Sequence, residues 1–131
     1  MTIDRTREVM SRYWESDHQD VSVMADDVVF SHMATGDEHR GPEAVGRMLD
    51  YMYRQAFDAT AETRSRICGD DQAVLEAEFV GKHIGEFAGI PATGRSVRVP
   101  LCVVYDLESD KIKRARVYIE LPVLMRQLGK A

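Results

Sequence analysis

Long apolar runs, paired cysteines and an excess of positive charge are all missing from this 131-residue sequence, and each absence removes a class of protein. No window approaches the roughly 18 consecutive apolar residues that span a bilayer. Behind Met1-Thr2-Ile3-Asp4-Arg5-Thr6-Arg7 there is no apolar stretch of the kind a secretory leader carries, so a cytoplasmic protein is expected. Cys68 and Cys102 stand far apart without CxxC or Cys/His spacing. That pattern points to neither a disulfide framework nor a structural zinc site, and both thiols are expected to be free and buried. The formal charge of −5 is opposite in sign to the clustered Lys and Arg that phosphate recognition needs, so neither nucleic acid nor a membrane is an expected partner. A phosphate-binding Gly-rich loop, a GxSxG elbow and a Cys/His nucleophile pair are absent too.

What is present is the balance of an ordinary globular chain, with 44% apolar and 30% charged residues. The length suits one domain over 1–131, able to bury about two-thirds of its unfolded surface. Thr2 or Asp4 can cap a first helix to about Ser16, with Val9, Tyr13 and Trp14 on one face. Asp20 is read as the cap of a short second helix through Ala25, followed by a strand from Val28 to Met33 and a polar loop from Ala34 to Arg40. Gly41-Pro42-Glu43 opens a third helix whose apolar stripe is Val45, Met48, Leu49, Met52 and Tyr53. Four strands follow, at about 61–68, 73–85, 96–107 and 111–120, before a closing helix from Leu121 to Leu128. The tight connections Gly69-Asp70-Asp71 and Glu108-Ser109-Asp110 imply antiparallel pairing.

Side chains two apart share a face of a sheet. One face collects Arg64, Arg66, Glu76, Glu78, Arg98, Arg114, Arg116, Tyr118 and Glu120, a wet surface or a polar subunit interface. The other collects Ile67, Leu75, Ala77, Phe79, Gly81, His83, Val97, Val99, Leu101, Val103, Tyr105, Ala115, Val117 and Ile119, and is the core that the helices cover.

Candidate chemistry follows from this alternation. His83 sits on the apolar face, flanked by glycines at 81 and 85 that leave room beside it. A pocket imidazole there suits acid/base work or gripping an oxygen, whereas a core histidine satisfied by a backbone carbonyl is the other reading. His32 shares a face with Phe30, so it too points inward if Phe30 does. A metal on these two histidines would lack a third ligand. Glu120 ends the last strand at the rim, as a catalytic carboxylate or a solvated acid. Tyr13, Trp14, Met48 and Met52, together with Phe30, Phe79, Val99, Leu101, Val117 and Ile119, are core residues that would equally line an apolar ligand cavity.

The run Phe79-Val80-Gly81-Lys82-His83-Ile84-Gly85-Glu86-Phe87-Ala88-Gly89-Ile90-Pro91-Ala92-Thr93-Gly94-Arg95 resembles the G-x-H-x-G-x-F-x-G-x-P-x-T-G-R signature of SnoaL-like polyketide cyclases. Arg40-Gly41-Pro42-Glu43-Ala44-Val45 resembles their R-G-x-E-A-V helix start, and Tyr118-Ile119-Glu120 with Leu124 to Gly129 resembles their closing segment. The resemblance implies an α+β, NTF2-like cone, in which a curved antiparallel sheet wraps around about three helices, commonly as a homodimer. It also implies a cofactor-independent cyclase or isomerase working by acid/base catalysis on a small apolar, oxygenated, polyketide-like molecule. Limonene epoxide hydrolase-like enzymes share that fold. Phe30 and His32 resemble the counterparts of their water-holding Tyr/Asn pair, and His83 falls near the Arg of their Asp-Arg-Asp triad. In both groups the acid/base Asp precedes the closing aromatic of the last strand, and here that position is Val117. Either His83 and His32 replace the carboxylate, or the chain is a non-catalytic small-molecule-binding dimer; epoxide opening, which asks for a carboxylate pair, is the weakest alternative.

Overall fold

The computed structural model describes residues 1–130; Ala131, the last residue of the expected domain, lies outside them. Thr2 starts the chain's first helix, α1 (Ile3–Glu15), by accepting a hydrogen bond from the Arg5 N–H at 3.1 Å, a cap that contributes about 1 kcal/mol. The helix buries Thr6, Val9, Met10, Tyr13 and Trp14 along one stripe. Where a second helix was expected, Asp20 caps only a single 3-10 turn, Val21–Val23, and strand β1 (Met24–His32) begins at once. The β-branched run at 21, 23, 28 and 29 favours extended backbone over a helix.

The polar segment after β1 is not all loop. A turn closed by the Gly36 N–H donating to the His32 carbonyl at 2.8 Å returns the chain as β2 (Glu38–Arg40), which pairs with β1. Gly36 takes a φ of 82° there, a conformation that suits glycine. Helix α2 (Pro42–Asp50) then runs into a π-helical turn, Tyr51–Gln55, closed by the Ala56 N–H on the Tyr51 carbonyl at 2.7 Å. Widened turns of this kind recur at functional sites, and this one directs Tyr51, Met52 and Tyr53 to the concave side of the sheet.

Strands β3 (Phe57–Cys68), β4 (Gln72–His83), β5 (Ser96–Glu108) and β6 (Lys111–Ile119) form an antiparallel meander, and α3 (Leu121–Gln127) ends the fold. The six strands lie in the order β2-β1-β6-β5-β4-β3, and the β1–β6 pair is parallel. The curved sheet with its three helices is the expected NTF2-like α+β architecture. No helix among the described residues is long and apolar enough to cross a membrane.

A β-bulge between Thr63 and Ser65 overturns part of the expected two-faced pattern. The extra residue flips everything after it. Arg66 therefore lies opposite Leu75 on the concave side, with its guanidinium 4.9 Å from the centre of the Trp14 ring, while Ile67 turns outward and is 60% exposed. Up to the bulge the outer face carries cross-strand charges: Arg64, the extra residue itself, pairs with Glu78, and Arg98 reaches both Glu78 and Glu62.

The glycines beside His83 make close approaches possible rather than room around the imidazole. A Cβ on Gly81 would fall 2.3 Å from the Asp58 carbonyl oxygen, and one on Gly85 would fall 2.3 Å from that of Gln55. The buried side chains form two clusters. The larger joins α1, β1 and α2 to the middle of the sheet, and the smaller joins Phe57, Phe79, Val97 and Val99 to α3.

Candidate functional site

Between the helices and the concave face of the sheet lies a cavity of about 690 Å³. Its wall is mostly apolar: Phe30, Leu75, Phe79, Leu101, Val103, Val117 and Ile119 rise from the strands, Met48, Leu49 and Met52 come from α2 and the turn after it, and Leu121, Leu124 and Met125 come from α3. Strand alternation aims the sheet residues inward, and helical spacing aims the others. Volume and lining both fall in the range of small-molecule sites.

Polar groups enter this wall in two places. In the first, β1 and β2 bring His32 and His39 together, ring centroids 5.2 Å apart and edge to face, with Asp37 and Arg47 also in the wall. Asp37 is held by the Thr35 hydroxyl, which donates to its carboxylate at 3.0 Å. Burial, and secondarily the charge of His39, lowers the His32 pKa, with Asp37 opposing them. His32 is therefore a neutral imidazole near neutral pH, able to accept a proton.

In the second place, His18 stacks on Tyr53 at 5.7 Å with ring planes 6° apart and meets the edge of Tyr13 at 5.1 Å. Burial drives its pKa down to about 4; Asp17 opposes the shift, and Arg66 and Arg54 add to it. Tyr13, Tyr53 and Tyr105 are all in the wall, and burial raises the pKa of each. These tyrosines remain phenols and can donate hydrogen bonds but not act as bases.

His83 lies on the concave face, yet it is fully buried and is not part of the cavity wall. Its ring packs against Phe57 at 5.2 Å. Nδ1 accepts from the Thr93 N–H at 3.2 Å and lies 2.9 Å from the Thr93 hydroxyl. With Nδ1 accepting, the ring proton sits on Nε2, which is buried with no hydrogen-bond partner among the described residues. The expectation that His83 points into the pocket is thus corrected: the loop after β4 folds back over the ring and engages Nδ1 with Thr93.

Three other candidates lie away from the cavity. Glu120 is exposed, and its carbonyl receives the Leu124 N–H at 3.2 Å to open α3. Trp14 is turned between Tyr105 and Arg66, and Val99 is sealed in the smaller core under α3. In contrast, His32, Tyr13, Phe30, Met48, Met52, Phe79, Leu101, Val117 and Ile119 share one wall.

Several residues of the wall escape a reading of the sequence. His18 falls in the irregular connector after α1, where no periodicity assigns a direction. His39 and Asp37 were hidden in what reads as a polar loop. A hairpin centred on Ala34-Thr35 places His39 opposite Phe30, which is the pairing found.

A curved six-stranded sheet enclosing an apolar cavity with its helices places the protein among the NTF2-like, ketosteroid isomerase-like folds. Within that class the chain belongs to the SnoaL-like polyketide cyclase family, whose model matches residues 3–128. A protein from Jannaschia sp. CCS1 assigned as a SnoaL-like polyketide cyclase is similar over 98% of this chain and 94% of its own, at 18% identity and a TM-score of 0.86. TsrD from Streptomyces laurentii is 23% identical over 100% of this chain and 99% of its own, with a TM-score of 0.78. A protein of ketosteroid isomerase-like fold from Catenulispora acidiphila, crystallised with trimethylamine, is 16% identical over 96% and 95% with a TM-score of 0.75. At these identities the likeness is one of fold. A search of curated proteins gave no match.

Proposed function

We propose that this protein is a cofactor-independent cyclase or isomerase that moves protons on a small, largely apolar, oxygenated molecule of the polyketide kind. The observation that carries this reading is the neutral His32 ring in the wall of a mostly apolar cavity, beside His39 and Asp37, with Arg47 in the same wall. A neutral imidazole held there can take a proton from carbon next to a carbonyl. The negative charge of Asp37 favours the imidazolium that results. Arg47, the one Lys or Arg of the wall among the described residues, brings positive charge for the developing enolate oxygen. Returned to a different carbon of the enolate system, the proton isomerises the molecule. Where the enolate carbon instead attacks a second carbonyl of the same molecule, a C–C bond closes the ring, the C=O π bond opens to an alkoxide, and the imidazolium returns the proton to that oxygen.

A second reading is favoured by Val117. It lines the cavity where the family's acid/base Asp is expected, and an apolar side chain there suits a protein that binds without converting. Proton exchange separates the two readings. With 2-tetralone in deuterated buffer, the enzyme reading predicts accelerated exchange of the protons next to the carbonyl, followed by NMR, and a loss of about 10²-fold or more in His32→Gln. Binding with no exchange above buffer would leave only the second reading. The proposal extends to a homodimer, supported by Tyr118 and Ile67 exposed on the outer face of the sheet and tested by sedimentation.

A further inference from the structure

The His18 cluster is not used by the proton transfer just described, and its construction is unusual. Asp17 and His18 both hold left-handed backbone, with φ of 59° and 61°, a region in which consecutive non-glycine residues are uncommon and which clusters at functional sites. Three contacts hold this conformation, the first being the Asp17 N–H on the Trp14 carbonyl at 3.3 Å. The His18 N–H donates to the Tyr13 carbonyl at 3.2 Å, and the Asp17 carboxylate meets Arg54 at 3.4 Å. The imidazole is then clamped face-on by Tyr53 and edge-on by Tyr13.

The two ring nitrogens differ. Nδ1 is sealed from solvent and cavity alike and has no hydrogen-bond partner among the described residues. Because the ring lines the cavity, Nε2 is the nitrogen left to meet a bound molecule. A buried N–H without an acceptor is rarer than a buried lone pair without a donor, so the proton belongs on Nε2 and the ring presents a neutral donor. Burial and the nearby Arg54 and Arg66 disfavour a second proton, against Asp17.

We infer that His18 is a second recognition point of the cavity, a neutral Nε2–H donor that selects ligands carrying a carbonyl oxygen on a flat apolar frame. The inference rests on the reading of the cavity as a ligand site but is independent of proton transfer at His32. It also narrows the ligand class. A ligand with no acceptor atom at this point, a bare hydrocarbon frame, would leave Nε2–H unpaired, whereas a ketone or quinone-type oxygen, which accepts without bringing a second proton, satisfies it.

The test uses 9-fluorenone and fluorene, flat molecules of nearly equal size that differ by a carbonyl. The wild type is expected to bind fluorenone about tenfold more tightly than fluorene, the value of one hydrogen bond. The carbonyl stretch of bound fluorenone should move to lower frequency. His18→Phe keeps the aromatic contact with Tyr53 and should bring the affinity ratio to about one with fluorene binding retained. Should Phe fail to fold at a left-handed position, His18→Asn tolerates that backbone and serves to assign the imidazole signal. In the wild type the Nε2 resonance of His18 should shift with fluorenone and not with fluorene. A preference that survives in His18→Phe, an Nε2 resonance that fluorenone does not move, or a preference that collapses in His32→Phe instead overturns the inference and leaves the cavity reading standing. Failure of both molecules to bind the wild type overturns both.

Discussion

His32 and Val117 are register partners on the parallel strands β1 and β6, and both line the cavity. A carboxylate placed at 117 would therefore stand beside the imidazole. In Val117→Asp the His32 pKa should rise from its depressed value, because a neighbouring negative charge favours the protonated ring. Histidine proton NMR across a pH titration checks this. Gain of aldol or epoxide-opening activity in the same variant would show that the carboxylate was the missing part.

His18 gives stability a pH dependence whose sign is fixed by burial. Its pKa is about 4 in the folded chain against 6.5 ordinarily, so between those values the unfolded chain binds a proton that the folded one refuses. Resistance to unfolding is then complete above about pH 6.5 and falls as pH drops toward about 4, by on the order of 3 kcal/mol. His32, lowered in the same direction, adds to the slope. Urea denaturation at about pH 4.5 and about pH 7 should show a smaller difference in His18→Asn than in the wild type, and a smaller one still with His32→Gln added.

The bulge in β3 predicts an inversion of what alternation implies. Ile67→Lys should change stability by less than about 0.5 kcal/mol, since the side chain is already outside. Arg66→Ala should cost about 0.5–1 kcal/mol through the lost contact with Trp14. Thermal melts of the two variants decide it, and the opposite order would restore the uninterrupted pattern.

Gly81→Ala should destabilise by about 3 kcal/mol or more, because its Cβ would meet the backbone of Asp58 and Ala59, which cannot turn aside. Gly89→Ala offers a control: nothing lies within 4 Å of its Cβ, so only the strain of its left-handed φ remains.

Thr93→Val should cost about 1–2 kcal/mol by removing the hydroxyl beside His83 Nδ1. Exchange of 2-tetralone should be little changed, because His83 is outside the cavity wall. A collapse of exchange with an unchanged melting temperature would instead return His83 to the site.

The strands and helices were legible where apolar spacing was regular. Alternation through Leu75, Ala77, Phe79 and through Val97, Val99, Leu101 and Val103 named the concave face, and the Val45 to Met52 stripe named the face of α2 that covers it. Legibility ended where one extra residue or a few polar ones changed the phase. The bulge at Thr63 to Ser65 has no local sequence mark, and β2 is too short and polar to announce itself. The parallel pairing of β1 with β6, which sets His32 beside Val117, depends on a long-range return that periodicity cannot report. Alternation gives His83 the correct face but not its depth, because Thr93, ten residues away, covers the ring and engages Nδ1. His18 was invisible because its direction is set by two left-handed residues.

Met52, Tyr53 and Ile119 pack against both buried clusters, and all three line the cavity. A molecule seated there touches both halves of the protein's interior at once and acts as a keystone between them. Its binding free energy adds directly to resistance against unfolding, by about 2.7 kcal/mol at a concentration a hundredfold above Kd. Melting temperature therefore becomes an assay of occupancy, and collections of aromatic ketones can be ranked on this protein before any reaction is assigned to it.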